Sequence, residues 1–172
     1  MIDTKIKLLN SGALRQKAEQ ISFFDQSLKD LIEILNTVMY REKGLGVAAN
    51  QIGQIKAVCV IDISPERNSP RAFVNPKILN SSDLILYEEG CLSIPGVTEI
   101  TKRYNAITVT YQDVDGNSKT EDLSGIEAIA MQHEVDHLEG KLYIDQLSVG
   151  KRLLAVKRHK QFMNNGFLGR KK

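Results

Sequence analysis

Two histidines four residues apart, His133 and His137 in the stretch QHEVDHLEGKLY (132–143), restrict the fold more than any other feature of the chain. On an α-helix, side chains at that spacing are neighbours with Cβ atoms about 5–6 Å apart, so both rings can reach one ion. Ile126, Ile129 and Ala130 share their helical face, at i, i+3 and i+4, with the histidines at i+7 and i+11. The imidazoles therefore project from the apolar stripe toward the interior. Polar rings on the buried side of a helix need partners, so other elements must close over them. Glu134 stands one residue along, about 100° around the helix, within reach of a bound ion's surroundings without ligating it.

Three protein ligands are the rule for a catalytic metal site, and the third is not downstream. One arrangement places a histidine six residues after the second, with glycine at the third. Gly140 fits, but Tyr143 occupies the ligand position. The remaining histidine, His159, lies in a basic segment and is expected to be exposed. A glutamate on a later helix is excluded too, because Glu139 and Asp145 are the only carboxylates beyond His137 and both are too close. Upstream there are two cysteines. Cys59 sits in an apolar strand and reads as a small buried hydrophobe. Cys91, in EEGCLSIPG (88–96), sits next to a glycine where the backbone can turn and present a thiolate. A Cys91/His133/His137 set leaves one tetrahedral position open, the layout of a catalytic centre.

The rest of the sequence supplies the covering layers. At 172 residues, with 42% hydrophobic and 26% charged residues, the chain is expected to fold as a single domain over 1–172. Helices are predicted over 27–43, with Gly44 ending the first in a left-handed conformation, over 125–139, and over 149–163. The second is expected to open on a capping box of Ser124 and Glu127 and to stop at Gly140; the third is expected to end at Asn164-Asn165-Gly166. Strands are predicted at 56–63, 71–74 and 84–88, and as a hairpin of 107–112 and 118–123 around Asp115-Gly116. Grouped strands between helices indicate α+β. DVDGN resembles a calcium loop only superficially, since Ser118 and Ser124 stand where that loop needs glycine and glutamate. GLGVAA (44–49) matches a dinucleotide-binding turn, but it follows a helix and leads into a strand, the reverse of what that turn needs.

The stretch MIDTKIKLLNSG has no apolar run of signal-peptide length, no segment is long enough to span a membrane, and two cysteines allow at most one disulfide. A cytoplasmic protein is expected. Charge is lopsided. Residues 146–172 hold eight Lys and Arg and no acid, leaving 15 basic against 21 acidic residues in the remainder. An anionic partner for that end is one reading and a solvated helix face the other.

Taken together, GLGVAANQ (44–51), EGCLS (89–93) and QHEVDH (132–137) resemble the motifs of the peptide deformylases, in that family's order and spacing, over nearly the whole chain. The uninterrupted spacing of the first two motifs and the long basic C-terminal helix are similar to the bacterial form. The resemblance implies an α+β fold with small β-sheets around a central metal-binding helix, flanked by N-terminal and C-terminal helices. It implies removal of formyl from N-formylmethionine at the start of new polypeptides, in a monomer with one Fe²⁺ per chain that Zn²⁺ or Ni²⁺ can replace. By the ligand set alone zinc fits as well as iron. It implies Cys91, His133 and His137 as ligands, Glu134 as acid–base, and Gln51 and the backbone N–H of Leu92 as donors to the developing oxyanion. Gly46 would border a peptide bound as an added strand, Ile129 and Ala130 would line the methionine pocket, and Glu89 with Arg103 would form an ion pair behind the cysteine loop. The basic helix would dock on the ribosome. Thr98 stands where some relatives carry an arginine, and the proline common before Leu14-Arg15 is missing. The rival readings are a deacylase of the same fold with another acyl preference, and an inert metal-stabilised module carried to the ribosome.

Overall fold

Helix α1 (Gln26–Arg41) starts where the Asp25 carboxylate accepts from the backbone N–H groups of Ser27 and Leu28, so the cap lies ahead of the expected start. Leu28, Leu31, Ile32, Leu35, Val38 and Met39 are all buried, as their spacing predicts. The end of the helix departs from expectation. Lys43 takes the positive φ of 58° and Gly44 does not. Gly44 is constrained by space instead, since a Cβ there would stand 2.8 Å from a Leu92 methyl. The computed structural model describes residues 4–168, with side chains as far as 165.

Five strands follow: β1 (Gly46–Ala48), β2 (Val58–Ile61), β3 (Arg71–Gly90), β4 (Thr98–Gln112) and β5 (Ser118–Ser124). They pair antiparallel in that order, so the strands expected as small sheets are joined into one. The segments foreseen at 71–74 and 84–88 are the two ends of β3, which runs through register shifts between Val74 and Lys77 and between Ile78 and Asn80. The β4–β5 hairpin forms where predicted, with Gly116 at φ 90° in its turn.

Strand β2 shows how the core is organised. All four of its residues are buried, because consecutive side chains point to opposite faces and both faces are covered. Val58 and Val60 pack with the α1 stripe, Val47 and Val74. Cys59 and Ile61 pack with Phe73, Val109, Leu123 and, from helix α2 (Gly125–Leu138), Ala128 and Met131. The sheet therefore carries α1 on one face and the histidine helix on the other. Each fully buried Val or Leu in these layers contributes about 1.5–3 kcal/mol. Cys59 is a core side chain, as its apolar surroundings predict.

The expected capping box of α2 is absent: Ser124 makes no side-chain cap bond. Glu127 is drawn instead to Arg71, 2.6 Å away, where a full charge outcompetes a backbone N–H. Gly140 does terminate the segment, at φ 73°, and a Cβ on it would meet the Arg15 carbonyl oxygen at 2.7 Å.

Helix α3 (Val149–Leu168) continues past the stop expected at Asn164-Asn165-Gly166. Ala155 is buried in a third cluster with Leu14, Ile94, Val97, Leu142 and Tyr143. His159, expected to be exposed, is 4% exposed, with Nδ1 3.0 Å from the Pro95 carbonyl oxygen. It follows Ala155 by one turn and shares its buried stripe. Of the eight basic residues, Arg158 pairs with Glu99 and Arg152 with Asp145; Arg170, Lys171 and Lys172 lie outside the described residues. No helix among the described residues is long and apolar enough to cross a membrane.

Candidate active site

A cleft of about 490 Å³ opens between three walls: Gly44–Gly46 leading into β1, the end of β3 with the cysteine loop after it, and α2. At its base one ligand atom each from Cys91, His133 and His137 lies within 4.8 Å of the others. Cys91 Sγ is 3.2 Å from His137 Nε2, and the two imidazoles meet edge-on with centroids 4.9 Å apart. A four-coordinate cation with bonds of about 2.0–2.3 Å to nitrogen and sulfur holds its ligands at similar separations.

The surroundings fix each ring. His133 Nδ1 is 2.8 Å from Glu89 Oε2, which turns Nε2 toward the cluster. Glu89 is held in turn by Arg103, whose Nε and Nη2 each donate at 3.0 Å, and by the Thr101 hydroxyl. Arg103 Nη1 donates to Asp136 at 2.6 Å. Burial would raise the Glu89 carboxyl, but the His133 hydrogen bond and the Arg103 charge hold it down to about 2. The Tyr143 ring stacks 6.1 Å from that of His133, and its hydroxyl donates to the Val97 carbonyl at 3.0 Å. Asn50 Nδ2 donates to the His137 carbonyl.

The donor set fits a cation. Burial opposes charge on His133, yet the hydrogen bonds its ring donates to Cys91 and Glu89 outweigh it and raise its pKa well above the ordinary value. A cation entering the cluster would displace that proton, since a ligating imidazole is neutral. Burial, then the charges of His133 and Arg103, push His137 well below its ordinary value, which keeps the ring neutral as a metal ligand must be.

Glu134 is 3% exposed, and its Oε2 has no hydrogen-bond partner among the described residues. Burial pushes its carboxyl up to about 7. Gly46 makes room for it, since a Cβ there would stand 2.6 Å from Glu134 Oε1. The Gln51 amide is set by its other end: Oε1 accepts from the Ala48 N–H at 2.9 Å, and Nε2 faces Ser93 Oγ at 3.1 Å and Cys91 Sγ at 3.7 Å. Leu92, Ile129 and Ala130 line the cleft, joined by Ile126. All eleven residues singled out in the sequence lie in or directly behind this cleft.

Several contributors were not anticipated. Asp136 reads in sequence as a surface acid, although its position one turn after His133 hints at a role beside the ring. Ser93 and Asn50 lie inside the motifs EGCLS and GLGVAANQ without a role assigned to them, and Thr101 carries no signal; the partners of all three come from other elements.

The comparisons with known proteins agree with this geometry. A family model described as polypeptide deformylase matches residues 4–153. A peptide deformylase of Endomicrobium trichonymphae is 40% identical over 152 residues, 88% of this chain and 90% of that one. A peptide deformylase 2 of Xanthomonas axonopodis pv. citri is 41% identical over 148 residues, 84% of this chain and 87% of that one. The crystal structure of a peptide deformylase from Legionella pneumophila superposes with a TM-score of 0.91 at 37% identity, covering 98% of both chains. From the extent of these matches, the chain belongs to the polypeptide deformylase family.

Proposed function

We propose that this protein hydrolyses the formamide of N-formylmethionine at the start of new polypeptides, giving formate and a free amino terminus. The observation that carries the reading is a buried carboxylate with an unpartnered oxygen, Glu134, beside a Cys/His/His cluster at the base of an open cleft. The chain acts as a single catalytic domain over residues 1–172, as a monomer in the cytoplasm.

Cys91, His133 and His137 would hold one divalent cation, Fe²⁺ with Zn²⁺ or Ni²⁺ able to replace it. When bound, such an ion supplies Lewis-acid activation, lowering the pKa of water from about 15.7 to about 7 and polarising the carbonyl. Glu134 takes the proton released by the attacking water and delivers it to the departing amine. A carboxyl raised by burial is suited to both transfers. Gln51 Nε2 and the Leu92 N–H donate to the carbonyl oxygen as it gains charge, and Gln51 needs no rearrangement because Ala48 already fixes its orientation. Glu89 and Arg103 hold the His133 ring. Gly46 leaves the β1 edge open to a peptide bound as an added strand, and Ile129 and Ala130 receive the methionine side chain.

Purification without oxygen, metal analysis, and formate release from formyl-Met peptides against acetate release from acetyl-Met peptides test the reading. One metal per chain and a strong formyl preference are expected. Equal turnover of acetyl peptides would favour the deacylase alternative, and metal without turnover the inert module. The basic residues of α3 favour a further contact, with the ribosome. Deleting residues 151–172 should lower co-sedimentation with ribosomes at low salt; unchanged co-sedimentation removes that contact.

A further inference from the structure

Tyr143 stands six residues after His137, the ligand position of the arrangement the sequence does not complete, and the proposed function leaves it without a part. It is 1% exposed and opens a single helical turn, Tyr143–Gln146, beyond the Gly140 stop. Asp145 accepts from the Leu142 N–H at 2.9 Å and from Arg15, so this turn is anchored independently of the ring it carries. The phenol is no ligand, because its hydroxyl keeps its proton and donates it to the Val97 carbonyl at 3.0 Å. The ring instead stacks on His133, with centroids 6.1 Å and planes 29° apart. Val97 ends the loop that begins at Cys91, and both border the cleft. That loop closes on itself, since the Ile94 N–H donates to the Cys91 carbonyl at 2.9 Å. Ile94, Val97 and Tyr143 share one buried cluster, and Cys91 packs against it. One side chain thus touches the imidazole of one ligand and the loop that presents another.

The hydrogen bond from Glu89 does not by itself fix the plane of His133. Such a bond keeps most of its strength up to about 30° from linear, whereas a ligand must be held within about 10–20° of its working geometry. A ring against the face of the imidazole blocks the tilt that the bond at Nδ1 allows. Aromatic pairs with centroids about 4.5–7 Å apart also attract beyond their buried area, so the stack holds itself together. We infer that Tyr143 is a positioning residue for the metal centre: its ring sets the plane of His133, and its hydroxyl sets the loop that carries Cys91. Both ligands are then in place before a cation arrives. The inference rests on the cation-binding part of the proposed function and is independent of which acyl group is removed. A tyrosine that only fills the core contributes to stability; one that positions ligands contributes also to affinity for the ion.

The full-length protein is loaded with Co²⁺, and affinity is measured by competition with a chelator. The visible absorption of the bound ion reports the angles between its ligands. Tyr143→Leu removes ring and hydroxyl together, and should weaken affinity by about 10–100-fold and shift the visible bands. Tyr143→Phe keeps the ring, so it should restore the bands of the unaltered protein and leave a loss of only about fivefold, that of one hydrogen bond. Ile144→Val disturbs the next residue of the same turn and the same buried cluster. It should lower the thermal midpoint while affinity stays within about twofold and the bands stay unchanged. Unaltered affinity and bands in Tyr143→Leu overturn the inference, and so do equal losses in Tyr143→Leu and Ile144→Val, which assign Tyr143 to packing. If Tyr143→Leu does not fold, Tyr143→Phe decides against Ile144→Val: weaker binding in the first alone supports positioning, and equal binding overturns it. If the unaltered protein takes up no Co²⁺, the cation reading fails and the inference with it, an outcome distinct from equal binding in every variant.

Discussion

Two buried carboxylates stand beside His133, and the protein treats them oppositely. Glu89 is satisfied by the imidazole, by two donors of Arg103 and by Thr101, and is held down to about 2. Glu134 leaves one oxygen without a partner among the described residues and is pushed up to about 7. Partners fix a charge: a carboxylate that orients a ring must stay ionised and still. A proton carrier needs the reverse, two protonation states close in energy near the working pH. On the proposed function, the difference separates a positioning group from a reacting one. Bound beside a cation, Glu134 is drawn back toward the ionised form it needs to accept a proton.

The sharpest way to break this contrast is Glu134→Gln. Formate release should fall by about 10²–10⁴ or more. Metal content should be unchanged, and the thermal midpoint unchanged or higher, since a buried ionisable group gives way to a neutral one of the same shape. Retained turnover would show that Glu134 carries no proton. Gly46→Ala probes the same carboxylate without altering its chemistry. The added methyl would stand 2.6 Å from Glu134 Oε1, so the side chain must move. Displacement of a reacting group by about 1 Å costs on the order of 10²-fold in rate, read here in kcat at unchanged metal content.

Glu89→Gln addresses the other side. It leaves a neutral partner on His133 and removes one of two carboxylates from buried Arg103. Metal affinity should weaken by about 10–100-fold, measured by competition with a chelator. Stability should fall by about 3–5 kcal/mol in denaturant unfolding, because a buried charge loses its counterpart. Turnover at saturating metal should fall far less than in Glu134→Gln. Equal losses in the two variants would erase the distinction.

How much of this was legible beforehand follows from what each residue depends on. The histidine pair, the apolar face around it and Glu134 could be read because helical period alone decides which side chains share a side. Cys91 emerged because downstream ligands are absent. Glu89 and Arg103 could be named only by resemblance. They lie fourteen positions apart and meet because of the β3–β4 register, which no local pattern states. Asp136 escaped notice because its partner comes from that same strand. The merging of two short strands into β3 was hidden because its exposed middle, Leu79 to Asp83, lacks strand-like alternation. His159 was misread from its basic neighbours, although Ala155 four residues earlier marks a buried stripe. Gly44 was credited with a conformation that Lys43 adopts, the glycine being needed for Leu92 instead.

A third carboxylate, remote from the metal cluster, sharpens the comparison on stability alone. Asp62 is 1% exposed and accepts from the Tyr40 hydroxyl at 2.6 Å, from the backbone N–H and hydroxyl of Ser64, and from the Ser69 N–H. Burial alone would raise it, yet the Ser64 and Tyr40 hydrogen bonds lead the others in holding it down to about 2. If partners are what fix a charge, Asp62 should behave like Glu89 although it does no chemistry. A folded value below the unfolded one of about 3.9 gives stability that is complete above that pH and is lost as pH falls toward about 2. Asp62→Asn should therefore cost about 1–3 kcal/mol at pH 7, and the gap between variant and parent should close through that acid window. Formate release should stay within about twofold at neutral pH. A gap that persists unchanged to pH 2 would mean that Asp62 is held by packing rather than by its charge.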